Sequence, residues 1–154
     1  MEDEMYLRIA VDQARISSEQ GGFPAGAVLV KDGSIVAKGL SLGQILHDPT
    51  SHAETTAIRE ARQTLSSTNL EGATLYASME PCLMCFCGAH WADISRIVFG
   101  CKRTDEMISR GYYQGKTEIN LVNKENNRAI DLVYLPNFET EVLAIISEWS
   151  QIGR

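Results

Sequence analysis

The sequence predicts an α/β protein in which helices pack on both faces of a sheet, forming a three-layer α/β/α sandwich. Segments with apolar residues at helical spacing alternate along the chain with short apolar runs typical of strands, and this alternation favours such layers. The chain has 154 residues, of which 44% are hydrophobic, and this length and composition suit one compact core. We therefore expect a single domain over residues 1–154.

Each element is predicted from its local pattern. Apolar residues at helical spacing predict an amphipathic helix over residues 6–18. Two strands are predicted at 25–30 and 34–38, and Lys31-Asp32-Gly33 between them indicates a hairpin turn. Residues 40–50 are expected to form a loop. The remaining predicted elements are helices at 52–65, from near Pro81, and at 138–149, and strands at 74–78, 96–100 and 129–135.

Three side chains of metal-ligand type stand at two of the predicted helix starts. His52 opens one helix, and Cys82 and Cys85 follow Pro81 at the start of another. A spacing of three residues places both cysteines on one helix face, where the helix dipole and a metal both favour the thiolate. Zinc takes nitrogen and sulfur ligands, and catalytic zinc sites keep three protein ligands and one open position. The sequence thus predicts a Zn²⁺ site held by His52, Cys82 and Cys85.

Glu54 is the carboxylate that this ligand set does not need. It lies two residues after His52, so it is close to the metal and available as a general acid and base for a water. Ser51 and Glu54 also match a capping box, and Cys82-x-x-Cys85 alone matches a redox pair. The combined order of histidine, glutamate and Pro-Cys-x-x-Cys favours a catalytic site with Glu54 in the proton-transfer role.

These motifs resemble the cytidine/deoxycytidylate deaminase superfamily, in the branch of tRNA adenosine, guanine and cytosine deaminases. The resemblance implies a five-stranded mixed sheet, zinc held between two helices, and hydrolytic removal of an exocyclic amine as ammonia. It also implies a homodimer or higher homo-oligomer. The segments that carry it are 23–30, 48–54, 80–85 and 96–100.

The resemblance leaves the substrate open. Ser41 stands where many members of the branch carry an asparagine that contacts the base. Trp91 is similar to the tryptophan of small guanine deaminases, whereas residues 111–115 lack the acid that those enzymes carry there. For the aromatic residues, ordinary packing is the alternative. The candidate substrate contacts are Ser41, Ala53, Phe23, Trp91, Tyr112, Tyr113 and Trp149.

Charge bears on the partners. The net charge is −6 and the sequence has no strong basic cluster, which argues against nucleic acid as a partner. The resemblance then implies a small nucleobase, nucleoside or related heterocycle as the substrate, with a guanine-like or cytosine-like free base preferred. No apolar run is long enough for a membrane span, and the acidic N-terminus is unlike a signal peptide, so we expect a cytoplasmic protein. Two alternatives stay open: a tRNA adenosine deaminase, and a non-catalytic module whose zinc is closed by Cys87, Cys101 or His47.

Overall fold

The computed structural model describes residues 2–152 and contains a five-stranded sheet with helices on both faces. This confirms the predicted α/β class. The strands are β1 (Gly26–Lys31), β2 (Ser34–Leu40), β3 (Thr74–Ala77), β4 (Arg96–Phe99) and β5 (Asp131–Tyr134). The helices are α1 (Glu2–Glu19), α2 (Gly43–Leu46), α3 (Ala53–Leu65), α4 (Leu83–Trp91), α5 (Asp105–Ser109), α6 (Ile119–Glu125) and α7 (Glu139–Gln151), with a 3₁₀ turn at Pro136–Phe138 before α7.

The sheet is mixed, as the resemblance implies. Its strand order is β2-β1-β3-β4-β5. Strand β1 pairs antiparallel with both β2 and β3, whereas β3, β4 and β5 run parallel. Parallel neighbours need crossover connections, and α4 supplies the one from β3 to β4. The start of α4 therefore follows directly from the end of a central strand.

The hairpin between β1 and β2 has the predicted turn. Asp32 and Gly33 both have positive φ angles, of 52° and 73°. Two successive residues in the left-handed region are what a tight two-residue hairpin turn requires, and Asp-Gly is a favoured pair for it. The turn therefore fixes the pairing of Lys31 with Ser34.

Alternate residues of β1 face two separate cores. Ala27 and Leu29 pack with α3 and α4, whereas Val28 and Val30 pack with α1. This division is the expected outcome of the two-residue repeat of a strand between two helical layers. A third cluster joins α1 and α7 through Val11, Val142, Ile145 and Ile146.

Helix α3 lies directly on β2 because Gly39 has no side chain. A Cβ atom at residue 39 would stand 1.9 Å from the carbonyl oxygen of Ala53, at the first turn of α3. Only glycine permits this approach. The position of Gly39 in the sheet therefore sets the position of the first turn of α3.

Several boundaries differ from the sequence-based expectation. Pro81 is not the first residue of α4; Cys82 caps the helix and Leu83 begins it. Three short helices lie in segments predicted as loop or left unassigned, because four to seven residues are too few to show an apolar repeat of helical period. They are α2, α5 and α6; α5 is capped by Thr104, whose side chain accepts a hydrogen bond from the Met107 amide. No helix within residues 2–152 is long and apolar enough to cross a membrane.

Candidate active site

The loop before α3 is organised around Asp48 and places His52 at the helix cap. The Asp48 carboxylate accepts hydrogen bonds from the amide and hydroxyl of Thr50 and from the Ser51 hydroxyl. The N-cap residue of α3 is His52, whose side chain makes no capping hydrogen bond. Because the Ser51 side chain bonds to Asp48 and the N-cap is His52 rather than Ser51, the structure does not form the alternative capping box of Ser51 and Glu54.

The two cysteines stand on either side of the start of α4. Cys82 is the N-cap residue, and its Sγ accepts a hydrogen bond from the Cys85 amide at 3.5 Å. Cys85 is buried in the first turn. An exposed N–H at a helix start favours negative charge on sulfur. Both sulfur atoms therefore point to the same place at the positive end of the helix.

The three predicted ligands come together as a metal site requires. His52 Nδ1 lies 3.5 Å from Sγ of Cys82 and 3.5 Å from Sγ of Cys85, and all three ligand atoms lie within 4.8 Å of one another. Tetrahedral zinc with ordinary bond lengths holds a nitrogen and a sulfur ligand about 3.5 Å apart. The donor set and its spacing thus fit Zn²⁺.

A fourth protein ligand is not found within residues 2–152. The group of possible metal ligands there consists of His52, Cys82 and Cys85. Cys87, Cys101 and His47 do not belong to it, which removes the geometric basis for a closed structural site. Three ligands leave one position open, as in catalytic zinc sites.

Glu54 is buried beside this group. Its side chain is 7% exposed, and its carboxylate interacts with the Cys85 thiol. Burial, and after it the charge of Cys82, raises the pKa of the Glu54 carboxyl to about 7. A carboxyl with a pKa near neutrality can both accept and return a proton, which is the property a general acid and base needs.

The pKa values of the two cysteine thiols are shifted in opposite directions, and Cys82 is the one that favours the thiolate. The hydrogen bond from Cys85, followed by that with His52, lowers the pKa of Cys82 to about 4. The same pairing with Cys82, together with burial, raises the pKa of Cys85. The hydrogen bond to Cys82 also raises the pKa of His52. The environment therefore favours the thiolate at Cys82, which is the form that binds a metal ion.

A cavity of about 830 Å³ opens over these residues and contains most of the predicted substrate contacts. Its lining includes His52, Glu54 and residues of the 110–114 stretch. Six of the seven predicted substrate contacts line it: Phe23, Ser41, Ala53, Tyr112, Tyr113 and Trp149.

Trp91 does not line this cavity, so the predicted substrate contact from this residue is not supported. Its side chain is 84% exposed and borders a separate groove with Ile58 and Arg62. Helix α4 begins at Leu83, so Trp91 lies about 12 Å along the helix axis from the helix start.

Three aromatic rings from distant segments meet at the cavity. Phe23 lies 5.1 Å from Trp149 and 5.2 Å from Tyr112, and Tyr112 lies 5.7 Å from Trp149, all in edge-to-face arrangements. We call these three residues the aromatic wall. Trp149 Nε1 is buried and has no hydrogen-bond partner among the described residues.

Some cavity residues were missed by the sequence analysis. Arg110 and Gln114 flank the aromatic residues of the 110–114 stretch, and Gln44 borders the cavity from α2. His47, considered from the sequence as a possible further ligand, also borders the cavity. Glu80 lies directly before the Pro-Cys-x-x-Cys motif and also lines the cavity. The position of Glu80 beside the motif is a sequence signal that could have identified it. Arg110, Gln114 and Gln44 reach the cavity only through tertiary packing, which the sequence does not show.

The matched family and relatives agree with this site. The sequence profile of the family described as the cytidine and deoxycytidylate deaminase zinc-binding region matches residues 1–101. A tRNA-specific adenosine deaminase of Buchnera aphidicola subsp. Baizongia pistaciae is 42% identical over 100 residues, which is 65% of this chain and 62% of that protein. The guanine deaminase of Bacillus subtilis is 42% identical over 106 residues, which is 68% of this chain and 68% of that protein.

The fold is also shared with a solved relative. A tRNA:A34 deaminase, studied for A-to-I editing at the wobble position of transfer RNA, superposes with a TM-score of 0.79 at 29% identity. The superposition covers 92% of this chain and 99% of that chain. With the family profile covering His52, Glu54, Cys82 and Cys85, the chain belongs to the cytidine and deoxycytidylate deaminase family.

Proposed function

We propose that this protein is a zinc-dependent deaminase that hydrolyses an exocyclic amine on a nucleobase-like ring and releases ammonia. The observation that carries the proposal is the buried Glu54 carboxyl beside the three zinc-type ligands His52, Cys82 and Cys85, at a cavity that His52, Glu54 and Cys82 line. Three protein ligands with a spare carboxylate are the arrangement that activates a water for hydrolysis.

The residues divide the chemistry between them. Zinc, when bound by His52, Cys82 and Cys85, lowers the pKa of a bound water to about 7. Glu54 accepts a proton from the attacking water and gives it to a ring nitrogen. It then carries the second proton from the newly added hydroxyl to the amine, and the C–N bond breaks as the carbonyl forms and ammonia leaves. The aromatic wall holds the flat ring and excludes bulk water, which strengthens the electrostatic interactions inside the cavity.

The charges around the cavity favour a small heterocycle as the substrate. Helix α7, which brings Trp149 to the cavity, carries Glu139, Glu141 and Glu148 and contains no lysine or arginine. Arg110 lines the cavity but pairs with Glu106. Phosphate chains are bound by clustered, available cations. A guanine-like or cytosine-like free base fits such a surface better than a polynucleotide.

A tRNA adenosine is the second candidate substrate. The relatives that support it are tRNA-specific adenosine deaminases, one of them 42% identical over 100 residues. These relatives weigh against the expectation from net charge that nucleic acid is not a partner. The guanine deaminase of Bacillus subtilis matches this chain at the same identity, so sequence similarity does not rank the two substrate classes.

An ammonia-release screen separates the candidates. Purified zinc-loaded protein is incubated with guanine, cytosine, adenine, their nucleosides, and a tRNA anticodon stem-loop with adenosine at the wobble position. We expect release from a free base and none from the stem-loop. Release from the stem-loop alone, with affinity that falls steeply as salt rises, would establish the second candidate. No release from any substrate by fully zinc-loaded protein would refute the deaminase proposal.

Two further features belong to this proposal. We expect a homodimer or higher homo-oligomer, which sedimentation equilibrium measures directly. We also expect the protein to act in the cytoplasm, and fractionation of its native cells tests this.

A further inference from the structure

We propose that Arg103 is a positioning residue that holds the substrate-facing segment 110–117 against the metal-bearing helix. This inference rests on the proposed function, because it assigns the residue that shapes the binding side of the same cavity. Arg103 does not line the cavity itself. It acts through main-chain atoms of the segment that does.

The guanidinium of Arg103 binds three consecutive carbonyls. Its Nη1 donates to the carbonyl oxygens of Gly115 at 2.9 Å and Thr117 at 3.0 Å, and its Nη2 donates to that of Lys116 at 3.0 Å. Charged donors form stronger hydrogen bonds than neutral ones, and the planar fork of arginine fixes their directions. One side chain therefore defines the path of residues 115–117.

Arg103 is itself anchored to the residue before the zinc motif. Its backbone N–H donates to Glu80 Oε1 at 3.3 Å, and its Nε lies 3.8 Å from Glu80 Oε2. The side chains of Arg103 and Glu80 are 10% and 15% exposed, so the pair is largely shielded from water. The Glu80 amide in turn donates to the Cys101 carbonyl at 2.7 Å. The anchor is thus tied to the end of β4.

The segment also reaches the start of α4 directly. The Tyr113 hydroxyl donates to the Glu80 carbonyl at 2.7 Å, and Gln114 Oε1 accepts from the Leu83 amide at 3.3 Å. Within residues 2–152, no backbone amide of residues 113–118 donates to a backbone carbonyl. Side chains rather than a regular element therefore give this segment its shape, and Arg103 makes the largest number of those contacts.

The expected consequence is specific to substrate binding. The segment presents Tyr112, Tyr113 and Gln114 to the cavity, whereas Glu54 and the zinc ligands stand on α3 and at the start of α4. Releasing residues 115–117 loosens the binding side and leaves the reacting groups in place. A merely structural arginine would lower stability without changing the affinity of the folded protein for its substrate.

Arg128 offers a matched control elsewhere in the fold. Its Nη1 donates to the Ile94 carbonyl at 2.8 Å and its Nη2 to the His90 carbonyl at 3.0 Å, and Nε lies 3.9 Å from Asp93. It is also an arginine that binds main-chain carbonyls and pairs with an acid. It lies near the far end of α4 and does not line the cavity.

The test compares Arg103→Gln, Arg103→Lys and Arg128→Gln in the zinc-loaded protein, well below each variant's melting temperature. With the substrate found by the ammonia screen, we expect both Arg103 variants to raise KM about tenfold or more while kcat falls less than about threefold. Arg103→Lys should not restore the wild-type KM, because a single ammonium group lacks the planar arrangement of donors with which the guanidinium binds three carbonyls. Arg128→Gln should leave KM unchanged. Unchanged KM in both Arg103 variants, or an equal rise in Arg128→Gln, overturns the proposal.

A second measurement is independent of catalysis. Trypsin cleaves after Lys116 only when the segment opens, so we expect Arg103→Gln to be cut there at least about tenfold faster than wild type, and Arg128→Gln at the wild-type rate. Equal cleavage rates in all three proteins overturn the inference even if the protein proves to have no deaminase activity. If Arg103→Gln does not fold, Arg103→Lys, which keeps a charge but loses the fork that binds residues 115–117, takes its place with the same two expected results.

Discussion

The metal side of the cavity, which consists of the zinc ligands and Glu54, comes from the starts of two regular helices. The binding side, which consists of the aromatic wall and the 110–117 segment, is assembled from separate parts of the chain. His52 and Cys82 cap α3 and α4, and Glu54 and Cys85 lie in their first turns. On the other side, Phe23 follows α1, Tyr112 lies in the 110–117 segment, and Trp149 belongs to α7. The metal side is fixed by backbone packing, and the binding side by side chains.

This difference predicts how the two sides respond to change. A substitution that disturbs the metal side should remove zinc or turnover altogether. A substitution on the binding side should change affinity and substrate preference while zinc remains bound. Zinc content and KM, measured in the same variants, therefore distinguish the two sides.

The largest effect is expected from Cys82→Ala. Loss of one of three protein ligands should weaken zinc binding by more than the roughly 100-fold loss that outer-shell partners can cause, and ammonia release should fall to background. Zinc per chain, measured after dialysis against a weak chelator, checks this. Cys87→Ala is the control, because Cys87 lies outside the ligand group, and it should keep its zinc. Equal zinc in both variants would contradict the ligand assignment.

Gly39→Ala tests the backbone basis of the metal side. The new Cβ would stand 1.9 Å from the Ala53 carbonyl oxygen, so β2 and α3 must separate. We expect a loss of about 2–4 kcal/mol of unfolding free energy, together with weaker zinc binding. Urea denaturation and zinc content measure both. Gly115→Ala on the binding side is the control, since a Cβ there meets no atom within 4 Å; a comparable loss in that variant would show that the close contact is not the cause.

Trp149→Phe tests the binding side. The smaller ring leaves Phe23 and Tyr112 with less to pack against, and the cost should be about 1–3 kcal/mol of stability. We expect KM to rise about tenfold with zinc content unchanged. Steady-state kinetics on the zinc-loaded variant checks this. The control is Leu143→Ala, a change at an exposed residue of the same helix, which should leave KM unchanged. Loss of zinc in Trp149→Phe would contradict the claim that the binding side can change without affecting the metal side.

The smallest effect is expected away from both sides. Asp3 accepts two hydrogen bonds from Arg96, which lower the pKa of its carboxyl from 3.8 to about 2. Because the folded pKa lies below the unfolded one, the pair stabilises the fold fully above about pH 5 and loses this contribution as the pH falls towards 2. The contribution should be about 1 kcal/mol for such a partly exposed pair.

Denaturation of wild type and Asp3→Asn between pH 7 and pH 3 measures this pair. The difference in unfolding free energy should be constant above about pH 5 and shrink below about pH 4. Zinc content and KM at pH 7 should be the same in both proteins. A stability difference that grows as the pH falls would contradict the assigned direction of the pKa shift.

The metal side could be predicted from the sequence because its chemistry is local. His52 and Glu54 are two residues apart and Cys82 and Cys85 three apart, so their spacing already implies a shared site. The sheet was likewise predictable in outline, since each strand has its own apolar pattern. Strand and helix ends were less accurate, as at Pro81, because capping geometry decides them.

The binding side was predictable only in part, because its residues meet through tertiary packing. Six candidates line the cavity, whereas Trp91 at the last residue of α4 does not, because the sequence pattern of a helix does not tell which of its residues face a cavity. Arg103 was not identified at all. Its partners are main-chain carbonyls, which leave no signature in the side chains of residues 115–117.

The most direct test of the account is Glu54→Gln, measured for zinc content and ammonia release with the same protein sample. Glutamine keeps the size of the side chain but cannot accept the proton, so we predict wild-type zinc per chain and a fall in turnover of about 10²–10⁴-fold. Glu60→Gln, on the exposed face of α3, should match wild type in both. A zinc-loaded Glu54→Gln protein that turns over substrate within about twofold of wild type would contradict the central role given to this carboxylate.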